Sequence, residues 1–390
     1  MKKILVATES LGSGGVEVSL IRFLTELTKI KNIKVDLLLL KKEGIYLDKV
    51  PKNVKIIEIK NKREMYNYTH DLSYMKELKG ISKIKFFIHI VSIYFFRKIN
   101  RYDLAYKILL RNVERITGYY DLAIDYLGYG HFLSGVIASK VNARKKAMWI
   151  HDEKVDWLVR VKPWINNYDK LFCVGKSCLN NIANNNPKIK NKLAVFYNMT
   201  DYQNVRAKSL EKTNIKFKNN VCNIVTVGRL EWQKAHEIAI ETAKILKERN
   251  FKFNWYLIGG GTKENELKEL VKEYNLAKEF IFLGVKPNPF PIVKMADLYV
   301  LSSRHEGYCL ATLEAKILDK VIIATDIESN REQITNGING FLCPLDSQAF
   351  ADKIIEVYDD KVLMDKVKTN LLKENFDYTS EFEKINKMLR

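Results

Sequence analysis

The sequence LYVLSSRHEGYCLATLE, residues 298–314, describes a short buried strand, a polar loop and the first turns of a helix. The apolar run that ends at Leu301 is typical of a strand in a parallel sheet. Glu306 in the loop and Glu314 in the next apolar run lie eight positions apart. A buried carboxylate without a partner is costly, and carboxylates can accept hydrogen bonds from ribose or sugar hydroxyls, while a helix N-terminus between them faces phosphate. The pattern therefore favours a ligand site over a pair of surface acids.

The same strand, loop and helix pattern recurs along the C-terminal half. Strands are predicted near residues 223–228, 254–258, 280–283, 298–301 and 321–325. Helices are predicted near residues 235–249, 264–275, 289–295, 312–318, 347–358 and 361–373. Strands that alternate with helices predict a parallel sheet covered on both faces. Ligands of such doubly wound sheets bind at the carboxyl ends of the strands.

The N-terminal half follows a similar plan. Strands are predicted near residues 4–8, 34–40, 54–59, 122–126, 146–150, 170–174 and 194–196, and residues 71–117 interrupt them with helices rich in Lys, Arg, Tyr, Phe and Ile. The polar stretch 208–220 predicts a linker. We expect an α/β chain with two doubly wound Rossmann-like domains that face each other across a cleft. The predicted boundaries are residues 1–205, residues 206–375, and a C-terminal helix, 376–390, that packs back towards the first domain.

Composition excludes disordered, collagen-like and disulfide-scaffold classes, since 47% of the 390 residues are hydrophobic and 28% are charged. The net charge of +19 is concentrated in the first half. Residues 1–200 contain 36 Lys and Arg against 18 Asp and Glu, and the remainder contains 29 against 28. This asymmetry predicts an anionic partner, either a membrane surface, a nucleic acid or a phosphorylated substrate. The alternative is a solvated, Lys-rich surface.

The cysteines and the N-terminus indicate a reducing compartment. The five cysteines form neither a CxxC pair nor a Cys/His zinc spacing, which predicts free thiols. The apolar run within the first ten residues, MKKILVATES, is too short for a signal peptide, so this segment is predicted to form the first strand. No run reaches the roughly 18–20 apolar residues that cross a bilayer. We expect a cytoplasmic protein.

Two further loops carry groups suited to phosphate. The glycine turn at residues 12–15, GSGG, joins the first strand to its helix and lets the backbone N–H groups approach a phosphate. In the second half, Gly228 ends a strand, and Arg229 and Lys234 follow it five positions apart. A forked guanidinium and a mobile ammonium together suit a diphosphate. Taken singly, these signals also fit a tight βα connection and two ordinary surface cations.

Together the motifs resemble the retaining family 4 glycosyltransferases, which have the GT-B fold. The stretch SSRHEGYCLATLEA resembles the family's E-x7-E signature, and GRLEWQKA resembles its GR-x4-K diphosphate motif. GSGGVE resembles the N-terminal glycine loop, IGGGTKENEL the GxG strand end, and TNGINGFLCP the C-terminal turn. Two positions differ from the family pattern: Ala235 replaces the glycine after the lysine, and Asn198-Met199 replaces an Asn-Pro pair.

The resemblance implies a role for each matching residue. Gly14 and Gly15 would approach the donor phosphates or the acceptor, Arg229 and Lys234 would neutralise the diphosphate, and the N–H groups of Leu310 and Ala311 would complete its cradle. Glu314 would bind the ribose and Glu306 the donor sugar. His151, in WIHD, matches the family's cleft histidine beside the reacting sugar. The expected site residues are His151, Glu306, Lys234 and Arg229 as catalytic, and Gly14, Gly15, Gly228, Arg229, Lys234, Gly259, Val285, Glu306, Gly307, Leu310, Ala311 and Glu314 as donor-binding.

The resemblance also implies a mechanism. We expect a retaining hexosyl- or N-acetylhexosaminyltransferase that uses a nucleotide diphosphate sugar, with UDP as the expected nucleotide, and needs neither a metal nor a cofactor. In the expected mechanism, the acceptor attacks the sugar on the face that the phosphate leaves, and the departing phosphate helps to deprotonate the acceptor. No protein nucleophile is then required. A mechanism in which Glu306 is the nucleophile is the less favoured alternative. Tyr308 and Cys309 occupy positions that touch the sugar in relatives, which leaves its identity open.

The basic first half suggests the acceptor. A basic helix interleaved with aromatic and aliphatic residues is typical of an anionic membrane surface. We therefore expect a peripheral protein at the inner face of the cell membrane that takes a lipid-linked glycan or polysaccharide acceptor and binds no nucleic acid. The alternative is that these helices pack an internal core. The cations concerned are Lys79, Lys83, Lys85, Arg97, Lys98, Arg101, Lys107 and Arg111.

Other functions stay open at this point. A soluble glucan synthase or a nucleotide-sugar epimerase would share the GT-B fold, but the charge of the first half favours a membrane-facing transferase. A non-catalytic membrane-binding module is disfavoured because Arg229, Lys234, Glu306 and Glu314 are all present. A dinucleotide dehydrogenase is disfavoured because no complete GxGxxG with a following acid occurs.

Overall fold

The computed structural model describes residues 1–12, 14–59, 78–111, 113–128, 132–152 and 157–390. Ser13 of the glycine turn, and residues 71–77 and 112 of the predicted helical stretch, lie outside the described residues. The chain divides into two units, Met1–Tyr197 together with Thr379–Arg390, and Asn198–Tyr378. The sequence placed this division at residues 205/206 and 375/376.

The first unit contains a seven-stranded parallel sheet with the order β3-β2-β1-β4-β5-β6-β7. Strands β2 and β3 lie on one side of β1, and β4 and the strands after it lie on the other side. The crevice that binds ligands in such folds therefore opens beside β1 and β4. The strands are β1 (Lys2–Thr8), β2 (Ile33–Leu39), β3 (Lys55–Glu58), β4 (Ile116–Asp125), β5 (Val141–Ile150), β6 (Lys170–Cys173) and β7 (Leu193–Val195).

Helices cover this sheet as the alternating sequence pattern predicted. They are α1 (Gly15–Lys29), α2 (Gly80–Lys98), α3 (Tyr102–Leu109), α4 (Phe132–Lys140), α5 (Leu158–Val161) and α6 (Lys176–Asn185), with short 3₁₀ turns at Leu47–Lys49, Ile165–Asn167 and Pro187–Lys192.

An aromatic cluster forms the core on one face of the first sheet. Phe23 of α1 lies 5.1 Å from Trp149 of β5 and 5.7 Å from Phe196, measured between ring centroids. The C-terminal segment returns to this unit, where Phe382 stacks on Phe23 with centroids 5.5 Å apart. Each such pair contributes roughly 0.5–1.5 kcal/mol beyond its buried area, so the last helix is anchored by aromatic packing.

The second unit contains a six-stranded parallel sheet with the order β10-β9-β8-β11-β12-β13. This is the doubly wound order in which the first strand of the unit lies beside the fourth, so the switch point falls between β8 and β11. The strands are β8 (Cys222–Val227), β9 (Phe253–Ile258), β10 (Phe280–Gly284), β11 (Leu298–Leu301), β12 (Val321–Thr325) and β13 (Phe341–Cys343).

The helices of the second unit and the C-terminal helix complete the fold. Together with the 3₁₀ turns Trp232–Lys234 and Thr379–Glu381, they are α7 (Tyr202–Lys208), α8 (His236–Glu248), α9 (Glu264–Glu273), α10 (Phe290–Met295), α11 (Leu310–Ile317), α12 (Glu328–Arg331), α13 (Ser347–Asp359), α14 (Lys361–Leu372) and α15 (Phe382–Leu389).

Burial explains why these strands are continuously apolar. All residues of β9, β11 and β12 are buried, as expected for parallel strands with helices on both faces. Helix α7 joins this unit because Arg206 donates from Nε to the carbonyl of Ile317, 3.3 Å away. Across the described ranges, no helix combines the length and the hydropathy that crossing a bilayer requires.

Candidate active site

Two loops at the carboxyl edge of the second sheet carry most of the predicted site residues. The first loop, residues 228–235, follows β8, and the second, residues 302–309, follows β11. Because β8 and β11 are neighbours across the switch point, both loops line the crevice where doubly wound sheets bind ligands. The sequence placed these motifs 72 positions apart, and the strand order brings them together.

Hydrogen bonds tie the two loops to each other. Ser302 donates from Oγ to the carbonyl of Ala235, 3.0 Å away. The N–H of Arg304 donates to the carbonyl of Gln233 at 2.8 Å, and the Gln233 amide donates to the carbonyl of His305 at 2.9 Å. The backbone of each loop is therefore fixed by the other before any ligand binds.

A buried ion pair joins the two predicted charged residues at the centre of this arrangement. Lys234 Nζ lies 2.5 Å from Glu306 Oε1, and the two side chains are 12% and 7% exposed. Burial lowers the pKa of Lys234, but its interactions with the neighbouring Cys309 and Glu306 side chains outweigh this effect, so that the pKa is raised overall. Lys234 therefore keeps its proton at neutral pH and presents a fixed positive charge.

Helix α11 begins directly beside this cation. Its N-cap residue is Cys309, whose Sγ lies 3.9 Å from Lys234 Nζ, and burial raises the pKa of the thiol. Leu310 and Ala311 are the first two residues of the helix, so their N–H groups have no acceptor within the helix. A cation and unpaired helix N–H groups together make this end of α11 suited to an anion.

Arg229 is the second cation of the site and is exposed. Its Nη2 lies 3.5 Å from Gln233 Oε1, a distance too long for a firm hydrogen bond. Its backbone is held more firmly, because its carbonyl accepts a hydrogen bond from His236 Nε2 at 3.0 Å. The guanidinium can therefore move towards a ligand while the loop that carries it stays in place.

Glycines allow the neighbouring strand end to approach the first loop closely. A Cβ atom on Gly259, whose φ is +153°, would lie 1.8 Å from the carbonyl oxygen of Gly228. A Cβ atom on Gly260 would lie 3.0 Å from Cγ2 of Val285, which is exposed after β10. The glycines of the IGGG segment therefore serve close backbone packing at the edge of the site.

Glu314 lies on α11 and is half-buried. Burial raises the pKa of its carboxyl to about 7, although a hydrogen bond with the Thr200 side chain acts in the opposite direction. Thr200 is itself buried and follows the Asn198-Met199 pair that departs from the family pattern. This contact could not be predicted from the sequence, because the two residues are far apart along the chain.

His151 belongs to the first unit, where it follows β5 and is buried. Its Nε2 lies 2.7 Å from the carbonyl oxygen of Tyr126. A carbonyl can only accept, so Nε2 carries the hydrogen. Burial lowers the pKa of the imidazole to about 4, so His151 is neutral at physiological pH.

Gly14 and Gly15 also lie in the first unit, at the start of α1. Gly14 is the N-cap residue and Gly15 the first helical residue. A Cβ atom on Gly14 would lie 2.5 Å from Oε2 of Glu17, so even alanine would displace that side chain. Their position after β1, beside the switch point of the first sheet, is where a ligand is expected.

The structure thus distributes the predicted residues between the two units. His151, Gly14 and Gly15 lie in the first unit, and the second unit brings together Gly228, Arg229, Lys234, Gly259, Val285, Glu306, Gly307, Leu310, Ala311 and Glu314. Sequence reasoning missed Ser302, Gln233 and His236, which hold the loops in place, and Thr200, which contacts Glu314. Among the described residues, no group of three or more His, Cys, Asp or Glu side chains is placed to hold a metal ion.

Residues 207–374 match the family model described as glycosyl transferases group 1. Over most of its length, the second unit is therefore similar to the group 1 glycosyltransferases. The UDP-Gal:alpha-D-GlcNAc-diphosphoundecaprenol alpha-1,3-galactosyltransferase of Escherichia coli is 30% identical over 232 residues, which cover 57% of each chain. A Campylobacter jejuni enzyme, N-acetylgalactosamine-N,N'-diacetylbacillosaminyl-diphospho-undecaprenol 4-alpha-N-acetylgalactosaminyltransferase, is 27% identical over 181 residues, 46% of this chain and 48% of that one. The matches thus span about half the length of these relatives.

Solved structures extend the comparison to the whole chain. TarM of S. aureus, in a complex with UDP among other ligands, has a TM-score of 0.70 and 15% identity and covers 100% of both chains. Anabaena HepE, solved with UDP-glucose, has a TM-score of 0.68 and 16% identity and covers 100% of this chain and 99% of that one. These structures confirm the predicted GT-B fold class, and the family-model match confirms the resemblance to glycosyltransferases.

Proposed function

We propose that the protein transfers a sugar from a UDP-sugar to a lipid-linked or cell-surface glycan acceptor at the cytoplasmic face of the membrane. The transfer would retain the anomeric configuration and use no metal ion. The observation that carries this proposal is the buried pair of Lys234 and Glu306 beside the N-terminus of α11. This pair presents a cation for a diphosphate and a carboxylate for sugar hydroxyls within one hydrogen-bond length of each other.

The first chemical task is to stabilise the departing nucleoside diphosphate. Lys234 and Arg229 supply positive charge, and the N–H groups of Leu310 and Ala311 supply donors. A preorganised donor of this kind is typically worth about 3 kcal/mol in the transition state. Ser302 and Gln233 hold the backbone of both loops in place, so little backbone reorganisation is needed when charge develops.

The second task is to hold the nucleoside and the donor sugar. Glu306 accepts hydrogen bonds from the sugar hydroxyls, and Glu314 accepts them from the ribose. The segment with Gly228, Gly259 and Val285 borders the nucleotide, and Gly307, next to Glu306 in the second loop, borders the sugar. Tight packing at Gly259 supports this arrangement, because a side chain there would displace the loop that carries Arg229.

The third task is attack by the acceptor on the same face of the sugar. Glu306 is paired with a lysine, and a carboxylate that accepts a hydrogen bond from an ammonium group is a weak nucleophile. We therefore assign deprotonation of the acceptor to the departing phosphate and no covalent role to a side chain. Neutral His151 in the first unit, with Gly14 and Gly15, would contact the acceptor or the reacting sugar.

The acceptor class follows from the named relatives and the charge of the first unit. The E. coli and C. jejuni proteins both carry a diphosphoundecaprenol acceptor in their names. The excess of Lys and Arg in residues 1–200 supports an anionic, membrane-bound acceptor for this chain as well.

A panel of nucleotide sugars tests the proposal. Thermal unfolding is measured with UDP-, GDP- and ADP-sugars, and product formation is followed with a polyprenyl-diphosphate-linked sugar. A donor at one hundred times its Kd stabilises the folded protein by about 2.7 kcal/mol, and we expect UDP-sugars to do so. The shift should be lost in Lys234→Met and kept in Lys272→Met, which removes an exposed lysine of α9. If none of the nucleotide sugars stabilises the protein, the proposed donor site is contradicted. A product with inverted anomeric configuration would contradict the retaining mechanism.

A further inference from the structure

Helix α2, Gly80–Lys98, exposes an unusually large apolar surface. Its exposed apolar residues are Ile81, Ile84, Phe87, Ile88, Val91, Tyr94 and Phe95, each with about half or more of its surface accessible. Each residue advances an α-helix by about 100°, so these side chains share one arc of about 140°. A contiguous apolar patch on a protein surface marks an interaction site.

The rest of the helix explains why this arc is not simply core. Phe86 and Ile93 point the other way and are buried, and Ile93 belongs to the same core cluster as Tyr106 and Leu109 of α3. The packed side of α2 is therefore already satisfied by the first unit. The exposed arc is a second apolar face on the same helix.

Positive charge borders this face on both sides. At about 100° per residue, Lys83 lies just beyond one edge of the arc and Lys85 just beyond the other, and both are exposed. Lys98 ends the helix, where its long side chain can extend beyond the apolar surface. No acidic residue occurs anywhere in α2.

We propose that α2 binds an anionic membrane by inserting this apolar face between the lipid headgroups, while its flanking lysines contact the phosphates. An amphipathic helix with such borders lies in the interface plane with its apolar face about 5–10 Å deep. The charge pattern selects the membrane over a second copy of the chain, because two copies joined through this face would bring like charges together. The inference rests on the proposed function only in that a lipid-linked acceptor requires a membrane.

This assignment narrows the earlier expectation. The sequence attributed membrane binding to cations spread over residues 79–111, whereas α3 is largely packed: Ala105, Tyr106 and Leu109 are buried. Arg101 is engaged with Asp103, with its Nε 2.9 Å from Oδ1. The apolar face of α2 adds an insertion step that charge alone does not supply.

Fluorescence from a single labelled position tests insertion directly. The five native cysteines are buried, so a polarity-sensitive maleimide dye will label an introduced surface cysteine. With vesicles that contain phosphatidylglycerol, the dye on Phe87→Cys should shift to the blue and brighten at least twofold. The same dye on Val362→Cys, an exposed position in the second unit, should not respond. An equal response at both positions, or at neither, would overturn the proposal.

A matched pair of triple variants tests the energetic contribution. Ile84→Ser, Phe87→Ser and Val91→Ser together should weaken vesicle binding at least tenfold. The control, Leu210→Ser, Val362→Ser and Leu372→Ser, removes apolar groups of the second unit that are at least as exposed, and it should bind like the parent. Unchanged binding of the first variant would refute insertion. Conversion of a dimeric parent to a monomer in sedimentation, without a change in vesicle binding, would assign the face to a second copy instead.

The donor site provides an independent control. Both triple variants should keep the thermal shift produced by the UDP-sugar, since neither changes a residue of the second unit's two loops. Loss of vesicle binding with retained nucleotide binding supports the membrane face alone. Vesicle binding in a protein that no nucleotide stabilises would support the membrane face and contradict the proposed transfer reaction.

Discussion

Removing the cation from the Lys234–Glu306 pair is the sharpest test of the site's construction. Lys234→Met leaves a carboxylate that is 7% exposed without the ammonium 2.5 Å away. Breaking a buried ion pair from one side typically costs about 3–5 kcal/mol, because the remaining charge stays buried without a partner. We expect the unfolding free energy of Lys234→Met to fall by this amount.

The double variant Lys234→Met/Glu306→Gln should recover most of that loss. Replacing both members of a buried pair with neutral groups of similar size is often close to neutral for stability. Urea denaturation of the parent, both single variants and the double variant gives the interaction energy, provided that the four proteins share one slope. We expect a coupling of at least about 2 kcal/mol.

A surface pair supplies the matched control. Lys272 and Glu269 on α9 lie 2.7 Å apart, but their side chains are 67% and 71% exposed. Helical surface pairs of this spacing contribute about 0.2–0.5 kcal/mol. Equal destabilisation by Lys272→Met and Lys234→Met would show that burial is not what makes the Lys234–Glu306 pair strong. Turnover separates the pairs further, since Lys234→Met should also lower kcat by about 10²–10³-fold and Lys272→Met should leave it unchanged.

Three further predictions concern single groups. Burial raises the pKa of Glu314 to about 7, above its unfolded value, so its contribution to stability is present at low pH and is lost as pH rises through 7. The Tm of Glu314→Gln should therefore rise relative to that of the parent between pH 5 and pH 8. A Tm difference that stays constant over this range would contradict the prediction. Burial lowers the pKa of His151 to about 4. The stabilising contribution of His151, which is present above about pH 6.5, is therefore lost on acidification. In an NMR titration, the chemical shifts of the His151 imidazole should not change near pH 6.5. Ala235 adopts φ +47°, in the left-handed region. Ala235→Gly should change the free energy of unfolding by less than about 1 kcal/mol, because relieved strain offsets the lost methyl group. Ala235→Val should lower the free energy of unfolding by more than this, and calorimetry measures both variants.

The alternation of strands and helices predicted the fold class because burial on both faces of a parallel sheet imposes a readable pattern. The strand predicted at residues 321–325 is β12, whose five residues are all buried. The three-residue strand β13, Phe341–Cys343, was missed, although β7, which is equally short, was predicted. The order of the strands in each sheet could not be predicted either, because the spacing of residues along the chain does not determine which strands become neighbours.

The charged residues of the site could be predicted, but their supporting partners could not. Lys234 and Glu306 were predicted from motifs, whereas the pairing between them depends on β8 and β11 lying side by side. Thr200 reaches Glu314 only because the segment after the first unit packs against α11. Such contacts join residues far apart along the chain, and no periodicity in the sequence encodes them.

The Lys234–Glu306 pair also explains how one site can serve both a diphosphate and a sugar. A diphosphate that attracts Lys234 competes with Glu306 for the same ammonium protons, and a buried carboxylate left without them is costly. Hydroxyl groups of a donor sugar can replace those protons as hydrogen-bond donors to Glu306. Because Ser302 and Gln233 hold both loops independently of the pair, Lys234 and Glu306 can exchange partners without moving the backbone. The pair thus favours a ligand that carries phosphate and sugar together over one that carries phosphate alone.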